Sequence, residues 1–530
     1  MIPDLHGGSG YLTENAIEAA KGTSTLLTQS VISGALRIIN TMILARLLLQ
    51  SEMGQVALIG VIYGFTQFLG AAGLNYASPL VIPHEERQES NRLASFVKRS
   101  TIVIIASSTI LMLFLLLISS SISDLGLLSI NTLNAMIIII PFSAMEVFLD
   151  SVLLAQTKTG KLAIGRLLFD GSRIISTIVL VMLSFGVLGV AIGWFVGEFI
   201  AVVCFAAVVL NKLPSSASRI EMKPILAFAL PSLMFQFIDV SIQNIDRIIL
   251  LLMQGLEALG VYDVLLGVLF LMSFTSIAIS SSLFPYLTKY RLSIESAEDR
   301  DNSFSYGVST LARYVIIVLM PISITLALNS YRTIEIIFGL SYASYPNASF
   351  SFAILAVAYS LWGLTYSLFS VMRALSESKF FIYSGLFVIL FEIAGSWYLT
   401  QLFGLLGSVL IRVFYILTLY SLTWIKLRQL GIRWKNRISL SIVKVLFSAL
   451  VAGLLLYYMN PYDLISLALF FLISILVYIF ILFLVGEINE LDYIITKKVF
   501  PSFLQPAIDF IFEVYRKGRG WQKPDSMNSP

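Results

Sequence analysis

A few polar side chains lie inside apolar stretches that are long enough to cross a membrane. In the stretch 23–46 they include Gln29, Ser33, Arg37 and Asn40. At about 100° per residue these four fall within an arc of about 80° and form one stripe along a helix. A charge near the bilayer centre costs about 2.5–3.5 kcal/mol, so Arg37 must face protein or water. Since the arginine fork suits phosphate oxygens, the stripe indicates a phosphate-binding surface with Gln29 and Asn40 as hydrogen-bonding partners.

A second stripe lies on the stretch 225–252. Gln236, Asp239, Gln243, Asp246 and Arg247 fall within an arc of about 100°. Two such stripes are what two helices facing one hydrophilic cavity require. We expect Arg247 to contact phosphate, Gln243 to bind phosphate or sugar, and Asp239 and Asp246 to lie in the same cavity. The alternative is a structural pair in which Asp246 or Asp239 neutralises Arg247.

Five further charged residues flank a tight turn near 157–160. Asp150 and Arg166 lie at similar distances from this turn, as do Glu146 and Asp170, and Arg173 lies one helical turn deeper. This spacing predicts a buried ion-pair network between adjacent antiparallel helices. The functional alternative is that one acid of the network binds a coupling proton or Na⁺, because Glu146 and Asp150 are crowded like charges at i, i+4 spacing.

Other intramembrane charges are harder to place. Glu392 and Arg412 lie about ten residues on either side of a short turn near 402 and are predicted to pair, which leaves a cavity role for Arg412 as the alternative. Glu198 and Asp263 have no partner that the sequence indicates.

Histidine and cysteine are too few for most catalytic or metal chemistry. The single cysteine, Cys204, excludes an intrachain disulfide and a thiolate cluster, and His6 and His84 lie far apart outside the apolar stretches. We therefore expect a protein that is not an enzyme, with no catalytic residue, no metal site and no cofactor beyond a coupling H⁺ or Na⁺.

The elements that position these residues must be membrane-spanning helices. The chain has 530 residues, a mean hydropathy of +0.88, 58% hydrophobic residues and 12% charged residues, which excludes a soluble globular protein. Continuous apolar runs favour helices over a barrel, because backbone polar groups in lipid must be satisfied internally. The sequence predicts an all-α polytopic protein with fourteen spans, at about 23–46, 55–80, 100–120, 131–155, 162–184, 187–210, 225–252, 259–285, 308–330, 349–372, 380–400, 405–425, 440–459 and 464–486.

The positive residues predict the orientation of these spans. Of the 35 lysines and arginines, 27 fall in alternate connections together with both termini, and only Arg46 and Arg332 fall in the other connections. Positive residues stay on the cytoplasmic side, so both termini are expected in the cytoplasm of a cell that carries this protein in its plasma membrane. The net charge of +4 is too small to indicate nucleic acid. The tail segment 499–516 is predicted to be an interfacial helix on anionic lipid.

A weak internal duplication suggests the domain organisation. LARLLLQSEMGQVAL (44–58) and IDRIILLLMQGLEALGVYDV (245–264) share an arginine, glutamines, an acid and a glycine in the same order. Both copies run from inside to outside, as in the parallel repeats of transporters. We expect a leader (1–22), an N-lobe (23–212), a C-lobe (223–427), two extra spans (438–487) and a cytoplasmic tail (488–530).

At this point the chain resembles a known family. ILARLLLQSEMGQVAL is similar to the first-helix signature of polysaccharide-transport (Wzx-type) flippases for lipid-linked oligosaccharides, in the multidrug/oligosaccharidyl-lipid/polysaccharide (MOP) superfamily. ALPSLMFQF (229–237), SSLFPYLTKY (281–290) and IEIIFGLSYASY (334–345) add to the resemblance. Met53 departs from the acidic-aromatic pair that the family often has there. The resemblance implies two six-helix lobes around a V-shaped cavity, alternating access, and export of a glycan on a polyprenyl phosphate or diphosphate.

These observations together predict a flippase that functions as a monomer. Its expected partners are the polyprenyl-phosphate-linked glycan, membrane lipids and glycan-assembly enzymes, with no nucleic acid. A multidrug or metabolite exporter of the same fold is the alternative. It is disfavoured because an exporter of cationic drugs would need an acidic residue on the first span. No acidic residue lies between Glu18 and Glu52. A membrane glycosyltransferase or polymerase is less favoured still, since the longest outer connection is only about 330–348.

Overall fold

The computed structural model describes residues 8–88, 90–211, 222–293, 297–374, 378–434, 437–488 and 509. Within these ranges the chain forms α-helices and no strand. The helices are α1 (Gly8–Leu47), α2 (Gln50–Gly70), α3 (Leu74–Gln88), α4 (Ser90–Ser123), α5 (Ile130–Ala155), α6 (Thr159–Leu180), α7 (Gly186–Leu210), α8 (Met222–Ser293), α9 (Ala297–Leu328), α10 (Ser330–Phe338), α11 (Leu340–Ala343), α12 (Ala348–Ala374), α13 (Ser378–Phe403), α14 (Leu405–Gln429), α15 (Arg437–Met459) and α16 (Leu464–Val485). The predicted interfacial helix at 499–516 lies outside the described residues apart from residue 509.

Twelve helical segments of the described chain are long and apolar enough to cross a membrane. Two of them, Thr159–Leu210 with 52 residues and Ile225–Phe270 with 46 residues, exceed twice the roughly 20 residues that one crossing needs. The first contains a π-helical turn with Ser184 at φ 68°, and the second contains Gly255 at φ 82°. The protein is therefore an all-α multi-pass membrane protein, and the number of fourteen crossings stays a prediction.

Glycines with left-handed backbone angles set the register of two helical hairpins. Gly255 divides α8 into two halves, and Gly404, at φ 57°, separates α13 from α14. Side chains equally far from the turn then face each other, as the hydroxyl groups of Thr400 and Ser408 do at 2.9 Å. A Cβ at either glycine would make this backbone conformation costly.

We call α1–α7 the N-lobe and α8–α14 the C-lobe, following the predicted boundaries. The N-lobe core includes Phe96, Phe148 and Phe205, all with less than 2% of their surface exposed. The C-lobe core is built around the apolar faces of α8, α9 and α12. The two extra helices pack on α9, where Tyr478 of α16 donates a hydrogen bond to the carbonyl of Ile317 at 2.7 Å.

The duplicated motif brings the two lobes together at one end of the molecule. A Cβ atom at Gly54 would lie 1.9 Å from the carbonyl oxygen of Leu256, and one at Gly260 would lie 2.0 Å from that of Gln50. The contact is thus reciprocal, with each copy of the motif supplying a glycine that lets the other backbone approach. This is the end that the charge pattern predicts to lie outside.

A second contact between the lobes joins α3 to the first half of α8. The side-chain amides of Asn75 in α3 and Gln236 in α8 form a reciprocal pair at 3.2 and 3.4 Å. Both side chains are buried. Gln236 therefore lies in a contact between the lobes and not on the open cavity surface that its stripe predicted.

Candidate functional site

A cavity of about 110 Å³ lies between the lobes, where α1 meets α8, α12 and α14. Its lining residues are Thr41, Gln243, Arg247, Asp263, Leu266, Gly267, Phe270, Tyr359, Trp362, Arg412 and Tyr415. Two guanidinium groups, one carboxylate and a set of aromatic rings thus share one space. The sequence predicted Arg247 and Gln243 in the cavity and offered a cavity role for Arg412 as the alternative to a pair with Glu392. The aromatic surface had no signal in the sequence.

Arg247 is neutralised from the far side of the α8 hairpin. Its Nη2 atom lies 2.6 Å from Oδ1 of Asp263, and its Nη1 atom donates to Oδ1 of Asn244 at 3.0 Å. The predicted alternative partners, Asp246 and Asp239, are therefore wrong. The physical reason is the break at Gly255, which stands eight residues from both Arg247 and Asp263 and folds them onto each other.

Arg412 is held much more tightly than Arg247. Its Nε and Nη2 atoms donate to the two carboxylate oxygens of Asp246 at 2.6 and 2.8 Å. Nη2 also donates to the carbonyl of Gln243 at 3.0 Å, and the hydroxyl of Tyr262 donates to Asp246. The side chains of Arg412 and Asp246 are 4% and 0% exposed, so this is a buried, bidentate ion pair.

The predicted pair between Glu392 and Arg412 is wrong. The turn is centred on Gly404, twelve residues after Glu392 and eight before Arg412, so the two side chains are out of register. Arg412 reaches across to α8 instead. Both carboxylate oxygens of Glu392 are buried without a hydrogen-bond partner in the described part of the chain.

Arg37 is the most accessible of the predicted arginines. Its side chain is 52% exposed, and its Nη2 atom lies 3.4 Å from Oδ1 of Asp170. The sequence has no acid between Glu18 and Glu52, and the acid that contacts Arg37 comes from α6. The hydroxyl of Thr41, which lines the cavity, donates to the carbonyl of Arg37 at 3.0 Å, so Arg37 lies one helical turn from the cavity.

Most of the predicted amide ligands lie elsewhere. Gln29 is 5% exposed and donates to Ser33 at 2.8 Å, and Oδ1 of Asn40 is buried without a hydrogen-bond partner among the described residues. Gln243 lines the cavity and donates to Asp239 at 3.2 Å. The first stripe therefore does not face the cavity along its whole length.

The charged network of the N-lobe contains the predicted pair at its centre. Arg166 donates to both carboxylate oxygens of Asp150 at 2.7 and 2.8 Å, as their equal distance from the turn at residue 158 predicted. Glu146 and Asp170 are buried beside this pair, with 8% and 3% of their surface exposed. Because Asp170 contacts Arg37, the network connects to the space between the lobes.

Tyr63, Trp194 and Glu198 also belong to this network, and sequence reasoning did not connect them to it. Arg173 stacks with its guanidinium carbon 3.6 Å from the centroid of the Trp194 ring, a cation–π contact. Oε1 of Glu198 accepts a hydrogen bond from the hydroxyl of Tyr63, and Oε2 of Glu198 is buried without one in the described chain. The lone acid Glu198 in an apolar span was the available signal, whereas Tyr63 and Trp194 gave none.

A family comparison identifies the protein class. A family model described as a polysaccharide biosynthesis protein matches residues 43–347, which is more than half of the chain. The chain belongs to the polysaccharide biosynthesis protein family. No curated protein sequence matches it.

Solved structures show the same fold. This polysaccharide biosynthesis protein is similar to the lipid II flippase MurJ in an inward closed conformation, with a TM-score of 0.67 and 14% identity over 87% of this chain and 98% of that one. An inward-facing multidrug resistance MATE family transporter of the MOP superfamily gives a TM-score of 0.60 at 14% identity, over 78% and 95% of the two chains. A MOP superfamily transporter from Pyrococcus furiosus gives 0.57 at 13% identity, over 80% and 96%. The protein therefore has the fold of MOP superfamily transporters.

A recess of about 610 Å³ lies at the end of α1, beside the reciprocal glycine contact of this polysaccharide biosynthesis protein. Its cation, Arg46, donates to the carbonyl of Ile337 at 3.1 Å and to that of Ile336. Gln50 donates to the carbonyl of Ser341 at 2.8 Å. Arg46 and Gln50 thus donate hydrogen bonds to the backbone of the other lobe, and these donors are not available to a ligand. The central cavity is therefore the better candidate for binding a ligand.

Proposed function

We propose that this protein moves a glycan linked to a polyprenyl phosphate or diphosphate from the inner to the outer leaflet of the plasma membrane. The observation that carries the proposal is the cavity between the lobes, in which Arg247 and Arg412 stand beside Asp263 and aromatic rings, with Arg37 one turn away. Membership of the polysaccharide biosynthesis family supports the same substrate class.

The chemistry of the cavity suits both parts of such a substrate. Arginine forks bind phosphate oxygens through charge-assisted hydrogen bonds. The rings of Tyr359, Trp362 and Tyr415 offer apolar surfaces with polar edges, which can cover the faces of sugar rings while a hydroxyl group or indole N–H remains available for hydrogen bonding. Arg37 and Arg247, which are partly exposed, are the arginines that we assign to phosphate. Arg412 is fixed by Asp246 and shapes the site.

The size of the cavity argues for alternating access. Its volume of about 110 Å³ is below the roughly 300–1,000 Å³ of ligand pockets, so the lobes must separate to admit a glycan. With both termini in the cytoplasm, as the charge pattern predicts, entry would break the amide pair between Asn75 and Gln236. Exit would break the reciprocal backbone contacts that Gly54 and Gly260 make between the lobes.

The driving force can come from the membrane potential. Moving one charge across it is worth about 2.3 kcal/mol per 100 mV, and an outward-moving anion is favoured by a negative interior. Antiport of a coupling H⁺ or Na⁺ is the alternative. No covalent chemistry is needed for either route.

The proposal is tested by reconstituting the full chain in vesicles with a fluorescent lipid-linked oligosaccharide and measuring its arrival in the outer leaflet. A hydrogen bond to a charged group contributes about 1.5–3 kcal/mol, so Arg37→Ala and Arg247→Ala should each slow translocation by about tenfold or more. Arg332→Ala is the matched control, because Arg332 is an exposed arginine paired with Glu335 outside the cavity. It should leave the rate unchanged.

Two outcomes would contradict the proposal. Translocation that survives removal of both Arg37 and Arg247 would remove these residues as the phosphate site. A protein that moves a cationic dye but no lipid-linked oligosaccharide would instead be an exporter of the same fold.

A further inference from the structure

The pair between Arg37 and Asp170 is unequal in burial. The Arg37 side chain is 52% exposed, whereas that of Asp170 is 4% exposed. Their contact of 3.4 Å is longer than the roughly 2.7–2.9 Å of strong charge-assisted hydrogen bonds. Arg37 can therefore leave the pair by rotating its flexible side chain, and Asp170 cannot follow it.

Asp170 belongs to a cluster with more acids than cations. In the described part of the chain, the charged or titratable groups that face Asp170 and its neighbours are Glu146 and Asp150 of α5, Arg166 and Arg173 of α6, Glu198 of α7, Tyr63 of α2 and Arg37 of α1. Four carboxyl groups thus meet three guanidinium groups. Arg166 is held by the two oxygens of Asp150, and Arg173 is stacked on an indole ring. Arg37 is the cation most free to move.

Losing Arg37 would leave the cluster short of positive charge. One oxygen of Glu198 is already buried without a hydrogen-bond partner in the described chain. A buried ion without a partner costs several kcal/mol. Since the acids interact with one another, a proton taken up to relieve this cost belongs to the cluster as a whole.

We infer that anion binding in the cavity is linked to proton uptake in the N-lobe: Arg37 exchanges Asp170 for a substrate phosphate, and the acid cluster around Asp170 binds a proton from water. The inference rests on the proposed function, because it takes the diphosphate as the anion that attracts Arg37. The proton lowers the negative charge of the loaded, closed protein by one and so reduces the cost of holding a diphosphate in a low-dielectric space.

The C-lobe offers an internal control for this exchange. Arg247 and Asp263 are 23% and 27% exposed, so both members of that pair face the cavity. When a phosphate draws Arg247 away, the carboxylate of Asp263 stays partly exposed at the cavity surface. No proton is needed there.

The experiment counts protons during binding. The purified full-length protein is titrated calorimetrically with a geranyl diphosphate esterified to glucose, in two buffers of different ionisation enthalpy at the same pH. This probe has a diester diphosphate with no proton to exchange near neutral pH, so any proton counted belongs to the protein. We expect uptake of about one proton and a Kd that rises by up to about tenfold per pH unit.

Two variants assign the proton to the cluster. Asp170→Asn should abolish the uptake and tighten binding several-fold, because Arg37 no longer has a carboxylate to leave. Arg37→Ala should weaken binding and also abolish the proton uptake. In this variant no cation leaves the acid cluster when the probe binds, so the charge of the cluster does not change. Asp263→Asn should leave the proton count at about one.

The outcomes separate this inference from the proposed function. Binding of the probe without proton uptake in the wild-type protein overturns the partner exchange and leaves the flippase proposal intact. An unchanged proton count in Asp170→Asn also overturns it. Absence of any probe binding overturns the proposed function, and the inference with it.

Discussion

Arg412 in the C-lobe and Arg37 in the N-lobe each pair with an aspartate, and the two pairs occupy opposite environments. Arg412 and Asp246 share two short hydrogen bonds and are almost fully buried. Arg37 is half exposed and reaches Asp170 through one contact of 3.4 Å. The comparison separates an arginine that fixes helix positions from one that is available to a ligand, although the sequence places both inside apolar spans.

The largest expected effect comes from breaking the buried pair. Asp246→Asn keeps the shape of the side chain but leaves Arg412 as an uncompensated buried charge, which should destabilise the protein by about 3–5 kcal/mol. Unfolding of the detergent-solubilised protein measures the loss. The double replacement Asp246→Leu with Arg412→Met should recover most of it, because both charges are then removed. A single variant as stable as wild type would show that the pair does not hold the C-lobe together.

The ion pairs within helical hairpins show how much of the site the sequence could reveal. The predicted pair between Asp150 and Arg166 is present because the turn expected near 157–160 does lie about midway between them. Arg412 was wrongly paired with Glu392 because the turn was expected near 402 instead of at Gly404, and two residues are enough to rotate a helix face away. Its partner Asp246 lies on α8, which the spacing around this turn could not indicate. Placing the α8 turn at Gly255 would have paired Arg247 with Asp263.

Contacts between distant spans are a different case. The helical class, the apolar segments and the duplicated motif follow from local pattern, and the family match confirms the resemblance read from them. The hydrogen bond from Tyr63 to Glu198 joins α2 to α7 across 135 residues. No spacing rule reaches that far, because the packing of whole helices determines which faces meet. The aromatic surface of the cavity was missed for the same reason.

The reciprocal glycines should behave alike, in contrast to the two unequal arginines. A Cβ added at Gly54 or at Gly260 meets a backbone carbonyl within about 2 Å, and overpacking of this kind costs about 1–3 kcal/mol. Gly54→Ala and Gly260→Ala should therefore both separate the lobes at this end. Spin labels at the exposed positions Leu49 and Leu340, in a Cys204→Ser background, report the distance. A longer distance in only one variant would argue against a reciprocal contact.

A smaller effect is expected at the pair between Arg37 and Asp170. Asp170→Asn is the same replacement as Asp246→Asn, but the Arg37 side chain is half exposed and the cluster around Asp170 already has an excess of acid. The free energy of unfolding should change by less than about 1 kcal/mol. Unfolding measured beside Asp246→Asn gives the comparison directly. Equal losses in the two variants would show that Arg37 is as firmly structural as Arg412, which would weaken its assignment to substrate.

The smallest effect is expected outside both lobes, at an acid that caps a helix. Asp463 precedes α16 and accepts a hydrogen bond from the backbone N–H of Ser466 at 2.8 Å. Hydrogen bonds from the side chain and backbone of Ser466 hold the pKa of Asp463 below its usual value. A lowered folded-state pKa means that this stabilisation is present above the unfolded pKa of about 3.9 and is lost as the pH falls through the folded value.

Asp463→Ala should thus lower the thermal midpoint slightly at pH 7, and the difference from wild type should shrink only below about pH 4. Asp463→Asn is the control, since asparagine caps a helix without a charge and should show a smaller loss with little pH dependence. Thermal unfolding at pH 7 and in a series below pH 4 measures both. A difference that grows on acidification would reverse the sign of the linkage. It would also show that the charge of Asp463 does not stabilise α16 through its hydrogen bonds with Ser466.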